Sequence, residues 1–194
     1  MDEGDKRSMN TDFKIETLDI EGVKVITPFV REDRRGYFLK YYEKDVFEML
    51  GIEGITAEDF ESYSVKGVIR GLHFQTANPQ IKIVHTVYGE INDVVVDLRK
   101  GSASFGRHLK VNLSAENHKV LYIPRGFAHG FEVLSDFAVM SYKCIGEYIK
   151  GADTGLIYNS PELGIAWETK HPIVSEKDKN LMSFETFRLK YEGL

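Results

Sequence analysis

The chain has 194 residues, 30 of them acidic and 25 basic, for a net charge of −5. It lacks the basic excess with which a nucleic-acid binder neutralises phosphates, although a phosphate-bearing small molecule needs only a few arginines. The single cysteine, Cys144, excludes an internal disulfide and suits a reducing compartment. No apolar run is long enough for a membrane-spanning helix, and the polar start MDEGDKRSMNTD has no signal-peptide core. The expectation is a cytoplasmic protein, with residues 1–12 as a flexible leader and 13–194 as one domain large enough for a sizeable core.

In chain order, GVKVITP and YFLKYY read as early strands. KDVFEML spaces Val46, Phe47 and Leu50 along one face of a short helix. VIRGLHFQ, from Val68 to Gln75, is a strand that sets Arg70, His73 and Gln75 among core-forming residues. Burying such groups unpaired is costly, so its second face is either wet or a site. QIKIVHTVYGEINDVVVDLR reads as a hairpin turning at Gly89, a residue free to take positive φ. GRHLKVNLS, HKVLYIP, GFAHGFEVLS and FAVMSYKCIGEY continue the series of short strands. The abundance of Phe and Tyr suits them. The fold class is all-β, a sandwich or barrel, with minor helix near both ends and a looser C-terminal tail.

Strict alternation along VIRGLHFQ points Arg70 and His73 to opposite faces. A bulge at Gly71 would bring them together. Lys82 shares a face with Val84, and Tyr142 with Met140 and Cys144. Closing the strands into a barrel then directs His73, Lys82 and Tyr142 into one cavity, with His85 on the opposite strand face from Lys82.

These residue types suit removal of a proton next to a ketone. A neutral imidazole is a base near physiological pH. A lysine ammonium stabilises the enolate oxygen as its charge develops. A phenol returns a proton from the other side and inverts the carbon. Asp178, in VSEKDKN, can orient an imidazole, and the glycines of IPRGFAHGF can aim His129 inward. Each residue also has a plainer reading: a satisfied core histidine, a solvated barrel-end lysine, a packing tyrosine, a loop histidine, a surface aspartate. A metal site is a further alternative, but His73-Phe74-Gln75 sets a carboxamide where a metal-binding His-x-His pair needs its second imidazole.

The ordered set RGLHFQ, QIK, GEINDVVVDLRKGSASFG, LSAEN, IPRGFAHGF, YKC and SEKD resembles the dTDP-4-dehydrorhamnose 3,5-epimerase family, from about Phe13 to about Met182. The resemblance implies a cupin-like jelly-roll barrel, independent of metal and cofactor, acting on a nucleotide-diphosphate 4-keto sugar. It implies His73 as general base paired with Asp178, Lys82 near the keto oxygen and Tyr142 as acid. Arg70, His129 and Gln75 then belong to the substrate pocket, Arg35 to the diphosphate, and Phe38 and Tyr148 to the nucleotide base. It also implies a homodimer, with Arg35 and Phe38 able to serve the neighbouring subunit. The chain departs from the family pattern at Lys40, where an acid is usual, at Glu58 to Phe60, which stand in place of Q-D-N, and at His85, where arginine is common. Departures near the nucleotide and sugar leave open inversion at C3, C5 or both, a CDP- or GDP-linked hexose or heptose, and a non-catalytic sugar-nucleotide binding module.

Overall fold

The computed structural model describes residues 13–52, 54 and 56–194, so the expected leader lies outside the described residues. The early strands are β1 (Lys14–Thr17), β2 (Lys24–Thr27), β3 (Phe29–Asp33) and β4 (Gly36–Lys40), followed by helix α1 (Lys44–Met49). Then come β5 (Thr56–Val65), β6 (Ile69–Gln75), β7 (Ile81–Tyr88), β8 (Glu90–Asp97) and β9 (His108–Ser114). The last strands are β10 (Val120–Ile123), β11 (Phe127–Val133), β12 (Phe137–Ile145) and β13 (Asp153–Gly155). Helices α2 (Glu176–Lys179) and α3 (Phe184–Tyr191) end the chain. Antiparallel pairing gives one sheet of order β1-β2-β10-β7-β12-β5, a second of order β13-β6-β11-β8-β9, and a separate β3–β4 hairpin. The chain is an all-β, cupin-like sandwich.

The expected β7–β8 hairpin does not form. Gly89 does turn the chain, at φ +79°, but β7 joins the first sheet and β8 the second. The turn is a corner between sheets. An added Cβ at Gly89 would lie 2.2 Å from the Phe137 carbonyl oxygen, so glycine is needed for close approach as well as for φ.

Period-2 alternation sorts the apolar residues into three layers. Val84, Ile91, Val95, Phe131, Met140 and Tyr142 fill the space between the sheets. Leu72, Phe74, Val94, Val96 and Ala128 face outward from the second sheet, where Leu156, Leu163, Phe184 and Phe187 cover them. Ile83, Val120 and Tyr122 back the first sheet against Val46 and Phe47 of α1. The C-terminal tail is therefore docked, contrary to the looser tail expected. Its apolar residues seal a sheet face that would otherwise meet water. The Leu194 N–H donates to the Leu98 carbonyl at 2.7 Å, and buried Glu132 accepts the N–H groups of Glu168 and Thr169.

The loop after β8 is organised by buried Asp97. Its carboxylate accepts from the Arg99 guanidinium at 2.7 Å and from the Ser102 and Ser104 hydroxyls at 2.6 Å. Burial alone would raise its pKa, but these donors outweigh burial and pull it down to about 2. A carboxyl with a depressed folded pKa stabilises the fold above its unfolded pKa, and that contribution is lost as pH falls toward the folded value. Asp97→Asn is expected to cost about 2 kcal/mol, as for other buried charge-assisted hydrogen bonds, lowering Tm by roughly 4–8 °C at neutral pH. The gap should close between about pH 4 and pH 2. Thermal melts of both proteins across that range check this.

Candidate active site

A cavity of about 310 Å³ opens at one end of the space between the sheets. Arg70, His73, His129 and Phe131 reach it from the second sheet, and Glu58, Phe60, Ser62, Lys82, Tyr142 and Cys144 from the first. Gln80, Tyr148 and Asp153 complete the rim.

Gly71 explains how Arg70 and His73 share this space. Arg70 pairs with Phe131 and His73 with His129, so two residues of β6 stand opposite the single Gly130. Gly71 takes φ +109° at this bulge. Before it, Val68 packs toward the inter-sheet core; after it, Leu72 and Phe74 belong to the outer layer. Inward parity thus changes at the bulge, and His73 joins Arg70. The Arg70 guanidinium is held by the Ser64 hydroxyl at 2.8 Å and the Tyr63 carbonyl at 3.0 Å.

His73 Nε2 lies 2.8 Å from Oδ1 of Asp178, whose Oδ2 accepts the Gly71 N–H at 3.1 Å. Asp178 is placed by α2, where the Ser175 hydroxyl accepts the Asp178 N–H at 3.1 Å and caps the turn. Burial would raise the Asp178 pKa, but His73, the Gly71 N–H and Lys177 together hold it below the ordinary carboxylate value. An ionised carboxylate only accepts hydrogen bonds, so Nε2 carries the proton and Nδ1 is left basic.

Lys82 Nζ is 3.5 Å from the His73 carbonyl oxygen. Burial pushes its pKa down, against the pull of Cys144, Asp153, Asp93 and Glu58. The Tyr142 phenol is 3.3 Å from the Ser62 hydroxyl, and burial holds its pKa well above the ordinary phenol value. Phe60, directly opposite Tyr142 across the β5–β12 pairing, stacks on its ring with centroids 4.8 Å apart and planes 14° apart. Glu58 accepts from the Gln80 side chain at 2.8 Å.

A second imidazole–carboxylate pair was not foreseen. His129 Nε2 is 2.8 Å from Oδ2 of Asp93, and both residues are buried. Burial raises the Asp93 pKa, against the opposing effects of His129 and Lys82, and its Oδ1 has no hydrogen-bond partner among the described residues. The signal was present in INDVVVD, because an acid in a strand this apolar must find a partner. Gln80, Ser62 and Asp153 were also missed as cavity residues.

Three expected substrate contacts lie elsewhere. Gln75 is 5% exposed and sits behind the segment carrying Tyr148, not on the wet cavity wall, because its carboxamide is taken up by backbone groups. Arg35 and Phe38 stand on the β3–β4 hairpin, in a separate cleft with Asp33 and Tyr37. That hairpin forms a two-stranded sheet of its own, and its cleft shares no lining residue with the main cavity. The variant residue Lys40 pairs with Glu43 at 2.9 Å. His85 faces away from the cavity and stacks on Tyr41 with ring centroids 3.7 Å apart, and burial lowers its pKa to about 4. Among the described residues, no three His, Cys, Asp or Glu side chains cluster as metal ligands, and no helix is long and apolar enough to cross a membrane.

The family model described as dTDP-4-dehydrorhamnose 3,5-epimerase matches residues 17–186. The dTDP-4-dehydrorhamnose 3,5-epimerase of Methanothermobacter thermautotrophicus is 43% identical over 172 residues, covering 87% of this chain and 93% of the relative. A dTDP-4-dehydrorhamnose 3-epimerase of Streptomyces niveus is 39% identical over 171 residues, covering 87% and 83%. The dTDP-6-deoxy-D-glucose-3,5-epimerase of Legionella pneumophila, solved with dTDP-4-keto-L-rhamnose, superposes with a TM-score of 0.86 at 38% identity, covering 89% of this chain and 93% of that one. With matches of this extent in both sequence and fold, the chain belongs to the dTDP-4-dehydrorhamnose 3,5-epimerase family and is an isomerase.

Proposed function

We propose that the chain inverts C3 and C5 of a nucleotide-linked 4-keto-6-deoxy sugar, of the type that converts dTDP-4-keto-6-deoxyglucose to dTDP-4-keto-rhamnose. The observation that carries this reading is the Asp178-held His73 on one sheet, facing Lys82 and Tyr142 on the other across a single cavity. His73 Nδ1 takes the proton from the carbon beside the ketone, and the C–H electron pair moves toward the carbonyl oxygen. The Lys82 ammonium stabilises the enolate formed there. The Tyr142 phenol gives its proton to the carbon from the opposite face, which inverts it. The resulting imidazolium and phenolate return to their starting states by exchange with solvent. Arg70 and the His129–Asp93 pair hold the sugar, with Glu58 and Phe60 beside it.

Tyr148 is half exposed at the rim and offers a ring face to the nucleotide base. Arg35 and Phe38 do not line this cavity within one chain, and the hairpin that carries them leaves Tyr37 and Phe38 more than half exposed. We assign them to the site of a second subunit in a cytoplasmic homodimer, where they meet the diphosphate and the base.

The test is deuterium uptake in heavy water with dTDP-, CDP- and GDP-linked 4-keto-6-deoxyglucose, with C3 and C5 followed by NMR. Exchange and inversion at both carbons of the dTDP sugar is the expected result. The similarity to a 3-epimerase, together with the ring stacked on Tyr142, makes inversion at one carbon the second reading. Exchange only with another nucleotide would overturn the thymidine assignment. Binding without exchange for every sugar would leave a non-catalytic module.

A further inference from the structure

Gln75 lies two residues beyond His73 on β6, yet it contacts a different part of the molecule. Residues 146–152 connect β12 to β13 and form no strand of their own. Apart from the Ala152 N–H, which donates to the Ile149 carbonyl at 3.0 Å, their backbone polar groups have no strand ladder to satisfy them. The Gln75 amide nitrogen donates to the Glu147 carbonyl at 3.1 Å and to the Asn78 carbonyl at 3.2 Å. Its amide oxygen accepts the Ile149 N–H at 2.6 Å. Two of these three bonds thus seize the backbone immediately before and after Tyr148. The ends of the segment are tied separately: Gln80 donates to the Gly146 carbonyl at 2.9 Å, and the Thr76 N–H donates to the Ala152 carbonyl at 2.9 Å. Tyr148 is the one side chain of this segment that lines the cavity.

We infer that Gln75 is a positioning residue that acts through Tyr148. It fixes the aromatic wall of the nucleotide subsite relative to the strand that carries His73. Its own polar groups are occupied, and its burial keeps it off the substrate. Glutamate could not replace it, because a carboxylate would turn lone pairs toward the carbonyls of Asn78 and Glu147. This role deepens the proposed function and rests on Tyr148 stacking against the base.

The experiment compares Gln75→Glu, Gln75→Met, Tyr148→Ala and the Gln75→Met/Tyr148→Ala double variant. Thymidine diphosphate affinity is read by calorimetry, and KM and kcat by solvent exchange, with thermal melts confirming that each variant folds. Gln75→Met keeps most of the side-chain volume and carries the test if Gln75→Glu does not fold. Each Gln75 variant is expected to weaken thymidine diphosphate binding and raise KM about tenfold, with kcat within about threefold of wild type. The double variant should be no worse than Tyr148→Ala alone, because both substitutions remove the same interaction. A Tyr148→Ala loss that Gln75→Met fails to reproduce, or additive losses in the double variant, would overturn the role of Gln75 alone. Unchanged affinity in Tyr148→Ala would overturn the stacking reading, and the role of Gln75 with it.

Discussion

His73→Ala is expected to lower turnover roughly 10²–10⁴-fold, the usual contribution of a general base, while nucleotide affinity stays within about threefold of wild type. The two effects separate in the proposed mechanism because it sets His73 at the reacting carbon and gives the nucleotide to Tyr148 at the rim and to the β3–β4 hairpin of a second subunit. The loss should appear in kcat as well as in kcat/KM, since proton removal stabilises the transition state and not the bound sugar. In the proposed mechanism the pairing with Asp178 at 2.8 Å makes the imidazole effective by fixing both tautomer and ring direction. Solvent exchange at C3 and C5, measured beside a thymidine diphosphate titration, decides the matter. Near-normal exchange in the variant would remove His73 from the mechanism.

Lys82→Met should be almost as damaging to activity, with a fall of about 10²–10³-fold, as found when a single donor to a developing oxyanion is removed. Its effect on stability should run the other way. Burial already disfavours the Lys82 ammonium and pushes its pKa down. An apolar side chain of similar shape relieves that cost, so Tm should hold or rise. The pH dependence gives a separate check. A base whose folded pKa is depressed loses its charge at lower pH than usual, so the alkaline limb of kcat/KM should fall below the ordinary lysine value of 10.5. That limb should vanish in Lys82→Met. An unchanged alkaline limb in the variant would assign it to another group and free Lys82 from the electrostatic role.

How much of this was legible in the sequence depends on the kind of contact involved. Alternation predicted strands β6 to β12 well, because each has one face against the inter-sheet core. It also placed Lys82 and Tyr142 inward and His85 outward, and the glycine in VIRGLHFQ marked the bulge that turns His73 toward Arg70. The β7–β8 corner was not legible, since two strands flanking a glycine turn look alike whether they pair or part. Strand β5 escaped notice because TAEDFESYSV is mostly exposed and carries no core stripe. The docking of the C-terminal segment was hidden for a different reason: Leu156, Leu163, Phe184 and Phe187 follow no single period, and only the sheet face they cover relates them. Asp93 and the inward tie of Gln75 to the Tyr148 segment depend on partners 36 to 74 residues away in sequence, and single-strand patterns say nothing about partners at that distance.

The docked tail has a consequence for when the site comes into being during synthesis. Every strand of both sheets precedes residue 156, so a ribosome has made the whole sandwich before it reaches Asp178. Until then His73 has no carboxylate to choose its tautomer, and Leu72 and Phe74 lack the Phe184 and Phe187 rings that cover them. The stretch from Leu156 to Phe187 therefore both covers the outer face and holds the His73 imidazole. A nascent copy that stops short of Asp178 has every strand of both sheets but lacks the carboxylate beside His73 and the Phe184 and Phe187 rings of the outer layer.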